Sequence, residues 1–466
     1  MNYQRKGLFL LLAFIFCSYC FLGCKNETEQ NQEEPLLFKG KSKSTSQLPL
    51  SIYLGKDSIG SYKFPYEVDT MKTRQWAFVK EKGAMLAILE DSINLNTDEG
   101  LDRLENIIGY QEIDFNPKML NNHDSFSAEL FGDTIKFNVD SSEILDINNE
   151  LWSGQIQDKN NSSFIIYQTD SIFSASFYFN ETKYELRSEN ENYFIERIDQ
   201  ERFYDEEEPL YEFDFDNEDD VLEDEIIMKD TNEFIDVLVC YTKTASDQSG
   251  GKLNIYNHIN RAVIETNLSY KNSKVSTRLR LVDTMKLNYK ETGISKNDVT
   301  WIQQNKKVRD RRNKVKADLV VFMVENLNGS CGRAYAIQKS LSTKFAPYAY
   351  CVVKKSCATG YYSFGHEVGH LMGGRHDCKN DSNLTPFEFN HGFEYCKITN
   401  SWRTIMSYSN CRSKRLPYWS NPNVKYNGVS MGEINGNTSC KSNNSELLNK
   451  ASLTVANFRI RQSPIK

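Results

Sequence analysis

Three of the six histidines in this 466-residue chain fall within eleven positions, in the run HEVGHLMGGRHD from His366 to Asp377. His366 and His370 are four apart, so on a helix both project from one face, a turn apart. Glu367 lies beside them, and Gly373 can take the positive φ that ends a helix. The chain can then turn back and bring His376 to the same point. Three imidazoles with an open fourth position form the ligand set of a catalytic zinc that holds a water there. A carboxylate beside that water can accept its proton, so the chemistry on offer is metal-assisted hydrolysis. The bland alternative is a buried amphipathic helix, but three clustered imidazoles flanking a carboxylate fill a core poorly.

The elements around this run alternate between helix and strand periodicity. FIDVLVCYT reads as a strand, and Ile255, Ile259, Ala262, Val263 and Thr266 recur at helical spacing. RLRLV reads as a second strand, Thr300 to Lys314 as one basic helix, and ADLVVFMVE as a buried strand. GRAYAI and AYCVV are shorter strands ahead of the histidine helix, and a last helix carries Leu448, Ala451, Val455 and Phe458. This alternation predicts an α/β sheet with helices packed on it. Leu48 to Asp199 differs: short runs such as SFIIYQT and FSASFYF between Asn, Asp and Gly turns predict a β-rich domain.

Charge divides the chain in two. Residues 231–466 carry a net +18 and residues 1–230 carry −25, which together give the −7 of the whole. The densest acidic stretch, Asp205 to Glu225, contains no Lys or Arg and reads as an extended linker between domains. The basic run Lys306 to Lys316 lacks interleaved aromatics, so a solvated helix face is expected and no nucleic-acid partner.

Arg5 and Lys6 precede an apolar run from Leu8 to Leu22, the pattern of an export signal. The run ends in Phe21-Leu22-Gly23-Cys24, which is similar to a bacterial lipobox and implies that Cys24 is lipidated. The polar stretch after it suits a flexible tether. The predicted organisation is therefore a signal over 1–23, a lipidated tether over 24–48, a β-rich domain over 49–204, an acidic linker over 205–230 and a C-terminal domain over 231–466. The expected location is the bacterial cell envelope, as an outer-membrane or surface lipoprotein. Eight cysteines from Cys240 to Cys440 allow up to four disulfides in an oxidising compartment, with Cys240 the first candidate to stay free and buried.

The C-terminal half resembles a metzincin zinc endopeptidase, and within that group the bacterial reprolysin-like (adamalysin-like) proteases. The likeness rests on H-E-x-x-H-x-x-G-x-x-H followed by Asp377, on TIMSYSN at Thr404 to Asn410, and on RLPYWSNPNVKYNG at Arg415 to Gly428. It implies a mixed twisted sheet with a zinc helix. It also implies one catalytic Zn2+ on His366, His370 and His376, Glu367 as general base, and Met406 in a Met-turn beneath the ligands. Asp377 is expected to anchor its loop by hydrogen bonds. Met406-Ser407-Tyr408 has the M-x-Y form of astacins and serralysins, in which Tyr408 either aids the oxyanion or ligates the metal; a packed aromatic is the other reading. By resemblance the N-terminal half is propeptide-like, and its acidity suggests that it covers the basic half until the linker is cut. Protein substrates would bind as extended strands along GRAYAI, and Arg412, Lys414 and Arg415 raise the idea of a taste for acidic side chains. A monomer is expected, and a structural Ca2+ is left open. The rival from another class is a catalytically inactive surface lipoprotein or adhesin that retains the fold.

Overall fold

The computed structural model describes residues 106–211 and 234–460 apart from short breaks, together with four short strands nearer the N-terminus. The export signal, Cys24 and residues 212–233 lie outside the described residues.

The first sheet is antiparallel. Its strands are β1 (Ile107–Phe115), β2 (Ser125–Leu130), β3 (Asp133–Asp146), β4 (Asn149–Ile156), β5 (Ser163–Thr169), β6 (Ile172–Phe179), β7 (Thr182–Glu189) and β8 (Asn192–Ile198). Strands β2 to β8 form a meander in chain order, and β1 pairs beside β8. In β2, buried and part-exposed residues alternate, as a strand with one face on a core requires. That core is aromatic: Phe126, Phe137, Phe164 and Phe177 pack together with ring centroids 4.8 to 5.4 Å apart.

The second sheet is built from β9 (Phe234–Thr242), β10 (Arg278–Leu287), β11 (Leu319–Val324), β12 (Gly332–Ala334) and β13 (Tyr350–Lys354). Their order is β10-β9-β11-β13-β12; the first four are parallel and β12 runs antiparallel on the edge. Strand β11 is LVVFMV, buried at every position, because helices cover both faces of such a sheet. Those helices are α1 (Lys252–Asn272), α2 (Ser295–Gln304), α3 (Lys306–Val315), α4 (Ser363–Leu371) and α5 (Asn444–Ala456). The α/β class, the mixed sheet and the β-rich N-terminal region are as the sequence predicts.

The basic helix read over 300–314 is in fact two. The chain breaks at Asn305, whose side chain accepts the Val308 N–H at 3.2 Å and caps α3. Three disulfides form, Cys331–Cys357, Cys378–Cys440 and Cys396–Cys411, while Cys240 and Cys351 stay free in buried strands. The first ties the start of β12 to the turn before α4. Among the described residues no helix is long and apolar enough to cross a membrane.

Candidate active site

Helix α4 carries His366 and His370 one turn apart and then stops. Gly373, at φ +95°, and Gly374 close its end through N–H bonds to the carbonyls of His370 and Gly369. The reversed chain brings His376 to the helix face. The three Nε2 atoms lie 3.1, 3.1 and 3.2 Å from one another. Tetrahedral zinc with nitrogens at about 2.0–2.1 Å places its ligands roughly 3.3 Å apart, so the triangle has the right size.

The outer nitrogens fix the tautomers. His366 Nδ1 meets the Ile405 carbonyl and His370 Nδ1 the Gly374 carbonyl, both at 2.8 Å, while His376 Nδ1 meets Glu208 Oε1 at 3.1 Å. Donation there leaves each Nε2 lone pair pointing inward. Burial pushes the His366 imidazole down to about 3 and holds His370 well below its ordinary value, so both are neutral near pH 7. Converging neutral lone pairs need a cation between them, and the residues fit a zinc ion. Two other Cys-containing groupings, around His391 and around Glu394, have both thiols in disulfides and offer no comparable ligand set.

Glu367 is fully buried, and neither carboxylate oxygen has a hydrogen-bond partner. Burial pushes its pKa well above the usual range, and the Glu206 charge adds to the shift. It rests against Gly332 of β12, where an added Cβ would come within 2.5 Å of Oε1. Only glycine allows the edge strand this close.

Beneath the histidines, Met406 is buried under α4. A Cβ on Gly369 would meet its sulfur at 2.6 Å and the Trp419 ring at 2.7 Å, so this glycine lets the helix sit directly on the Met-turn. Asp377 binds that turn from the other side, its Oδ2 accepting from Ser407 Oγ and Tyr408 N, each at 3.1 Å. His391 Nδ1 donates to the His376 carbonyl at 2.9 Å, and His258 Nε2 lies 2.9 Å from the Lys355 carbonyl; neither joins the metal triangle.

The acidic stretch does not begin as a solvated linker. Residues 205–211 run along β12 in parallel, with Glu207 N bonded to Gly332 O at 2.9 Å and Leu210 N to Ala334 O at 2.8 Å. Edge-strand backbone groups need partners, and this segment supplies them where composition alone favours water. Tyr408 Oη donates to the Glu206 carbonyl at 2.8 Å, Arg333 pairs with Glu207, and Arg415 forks onto Glu206. Of the three cations noted after the Met-turn, Arg415 is buried, Lys414 is half-buried and Arg412 is exposed. No motif marks Glu206, Glu208, Arg333, Tyr361 or Ser363 in the sequence; an acidic run facing a basic domain is the only signal for the first two.

A histidine triangle of this size on a helix that ends in glycine, over a buried methionine and beside an unpartnered glutamate, defines a metzincin-like zinc metalloprotease domain. Residues 231–420 match the family model described as Metallo-peptidase family M12. The chain is 40% identical over 232 residues to a Peptidyl-Asp metalloendopeptidase of Stenotrophomonas maltophilia (strain K279a), covering 48% of this chain and 52% of that protein. It is 40% identical over 235 residues to the Peptidyl-Asp metalloendopeptidase of Xanthomonas campestris pv. campestris, with the same coverages of 48% and 52%. A Pseudomonas aeruginosa protein of that name is 25% identical over 213 residues, 41% of this chain and 35% of its own. The chain thus spans about half the length, or less, of the curated relatives it matches.

Proposed function

We propose that the protein is a zinc-dependent endopeptidase that cuts protein chains beside an acidic residue and is exported as a lipoprotein zymogen anchored through Cys24. The single observation that carries the catalytic reading is the Nε2 triangle, 3.1 to 3.2 Å on a side, with the unpartnered Glu367 carboxylate next to it. The activity named for the relatives supports an aspartate at the cut.

His366, His370 and His376 would hold the zinc, which when bound polarises the substrate carbonyl and makes water nucleophilic near neutral pH. Glu367, raised by burial, is suited to take the proton of the attacking water and return it to the departing amine nitrogen. No side chain forms a covalent bond to the substrate in this scheme. Tyr408 Oη, already donating to a backbone carbonyl in the cleft, would donate to the substrate oxygen as negative charge develops. Gly332 O, Ala334 O and Ala336 N line the edge that would hold the substrate backbone as an added strand.

Casein digestion with and without a chelator tests the class. Glu367→Gln should lower kcat by roughly 10²–10⁴ while the bound zinc stays near one per chain. Retained turnover in that variant would overturn the assignment. Mass spectrometry of the mature N-terminus tests the anchor: an unmodified Cys24, or a start elsewhere, would remove it.

A further inference from the structure

The chain carries a buried cation whose carboxylate partner comes from outside the matched domain. Arg415 and Glu206 each have 0% side-chain exposure and form a two-pronged pair, Nη1 to Oε1 at 2.6 Å and Nη2 to Oε2 at 2.8 Å. Ser363 Oγ at the start of α4 donates to Oε1 at 2.6 Å. The Tyr361 ring backs the guanidinium, 4.2 Å from its centre, and Tyr361 Oη is held by Arg403 at 2.9 Å. Among the described residues Glu206 is the only acid that pairs with Arg415. The pocket adjoins the metal triangle, since Glu206 Oε2 lies 3.9 Å from His366 Nδ1.

We infer that Arg415 selects the acidic side chain of the substrate, and that Glu206 fills this pocket in the intact chain and keeps it latent. The inference rests on the endopeptidase reading above. Its physical basis is charge balance. A guanidinium stripped of Glu206 would be left buried without an anion, a costly state, and a substrate carboxylate presented in the cleft restores the pair. A carboxamide of the same shape supplies one acceptor and no charge, so it leaves the fork half unmet. The backbone supports the mimicry. Glu206 hangs from a segment bonded along β12 on both sides, at Cys331 N to Asp205 O and at Glu207 N to Gly332 O, and its carbonyl receives Tyr408 Oη. The blocking segment therefore engages the edge strand, the Met-turn tyrosine and the selectivity pocket together.

The test uses the full-length chain in two arms. In thermal unfolding, acetate should raise the Tm of Glu206→Ala by several degrees beyond equal chloride, because a small carboxylate refills the vacated pocket. Wild type and Glu206→Ala/Arg415→Met should not respond. A response shared by all three, or by none, overturns the pocket. In the second arm the zinc-loaded Glu206→Ala chain should cleave a peptide at least about tenfold faster than wild type. It should also prefer an Asp-containing peptide to its Asn twin by at least about 100-fold. Adding Arg415→Met should bring that ratio near one. Equal cleavage of both twins by Glu206→Ala would end the selectivity claim and leave the endopeptidase reading standing. Acetate rescue with no chelator-sensitive cleavage of any protein would end the endopeptidase reading and leave Arg415 as a carboxylate-binding residue. If the alanine variant does not fold, Glu206→Gln carries the cleavage arm with the same expected ratios.

Discussion

Two buried ionic clusters join residues 107–211 to the protease fold, and they differ in what each side would keep after separation. Between β7 and α1, Lys183 pairs with Glu265 and Arg261 with Glu185, each at 2.8 Å, while Ser176 also bonds Glu265. Each surface there brings one cation and one anion. Arg261 and Glu265 lie a turn apart on one helix, and the Arg261 charge already acts on Glu265. In the cleft, Arg415 meets Glu206 alone. Parting the first cluster leaves two neutral-sum faces; parting the second leaves a lone buried cation. The first is suited to hold two bodies together, the second to wait for a replacement anion.

The largest expected effect separates these roles by stability. Arg415→Met in the full chain strands Glu206 and should cost about 3–5 kcal/mol, a fall in Tm of roughly 10 °C. Lys183→Met leaves Glu265 with Arg261 and Ser176 nearby, and should cost only about 1–2 kcal/mol. Equal losses in paired melts would erase the distinction. Next in size, Glu206→Leu/Arg415→Met should recover most of what Arg415→Met loses, since removing both charges leaves none uncompensated. A double variant no better than the single would place the cost in packing and not in charge.

Acid sharpens the contrast. Burial tends to raise the Glu206 carboxyl, but the Arg415 charge, with help from His366 and the fork's hydrogen bonds, holds it well below its ordinary 4.5. A depressed carboxyl contributes stability above its unfolded value and loses it as pH falls through the folded one. The Tm gap between wild type and Glu206→Gln should therefore stay level down to about pH 5 and shrink only below the ordinary value. A gap that closes between pH 7 and 5 would deny the pair its role. Glu185 moves the other way, raised by burial against the opposing pull of Arg261, so the two clusters respond to acid differently. The smallest stability effect is expected from Tyr408→Phe, about 1 kcal/mol for the bond to the Glu206 carbonyl. Turnover should fall by roughly 10² with zinc content unchanged. Unchanged turnover would make Tyr408 a packing residue.

Local signals were legible and tertiary ones were not. The histidine triangle reads directly because its ligands sit within eleven positions and one helical turn sets two of them. Strands β9 and β11 read as apolar runs because burial on both faces favours apolar residues. The break at Asn305 was in the sequence as a capping residue, but the basic periodicity on either side masked it. Asp205 to Glu225 reads as a linker because composition reports the average solvation of a stretch, whereas the placement of Glu206 depends on one buried partner 209 positions away. Arg415 stood out only together with Arg412 and Lys414, since no pattern in SKR tells which cation turns inward.

The carboxylate of Glu208 leans on the outer nitrogen of His376, while the other two ligands lean on backbone carbonyls of the protease fold itself. One grip on a bound ion would thus be steadied by a residue of the segment that lies along β12. Reciprocity makes this a two-way bargain: if the blocking segment tightens the hold on zinc, zinc tightens the hold on the segment by the same factor. Stripping the metal should then loosen the cleft, and opening the cleft should make the metal easier to strip.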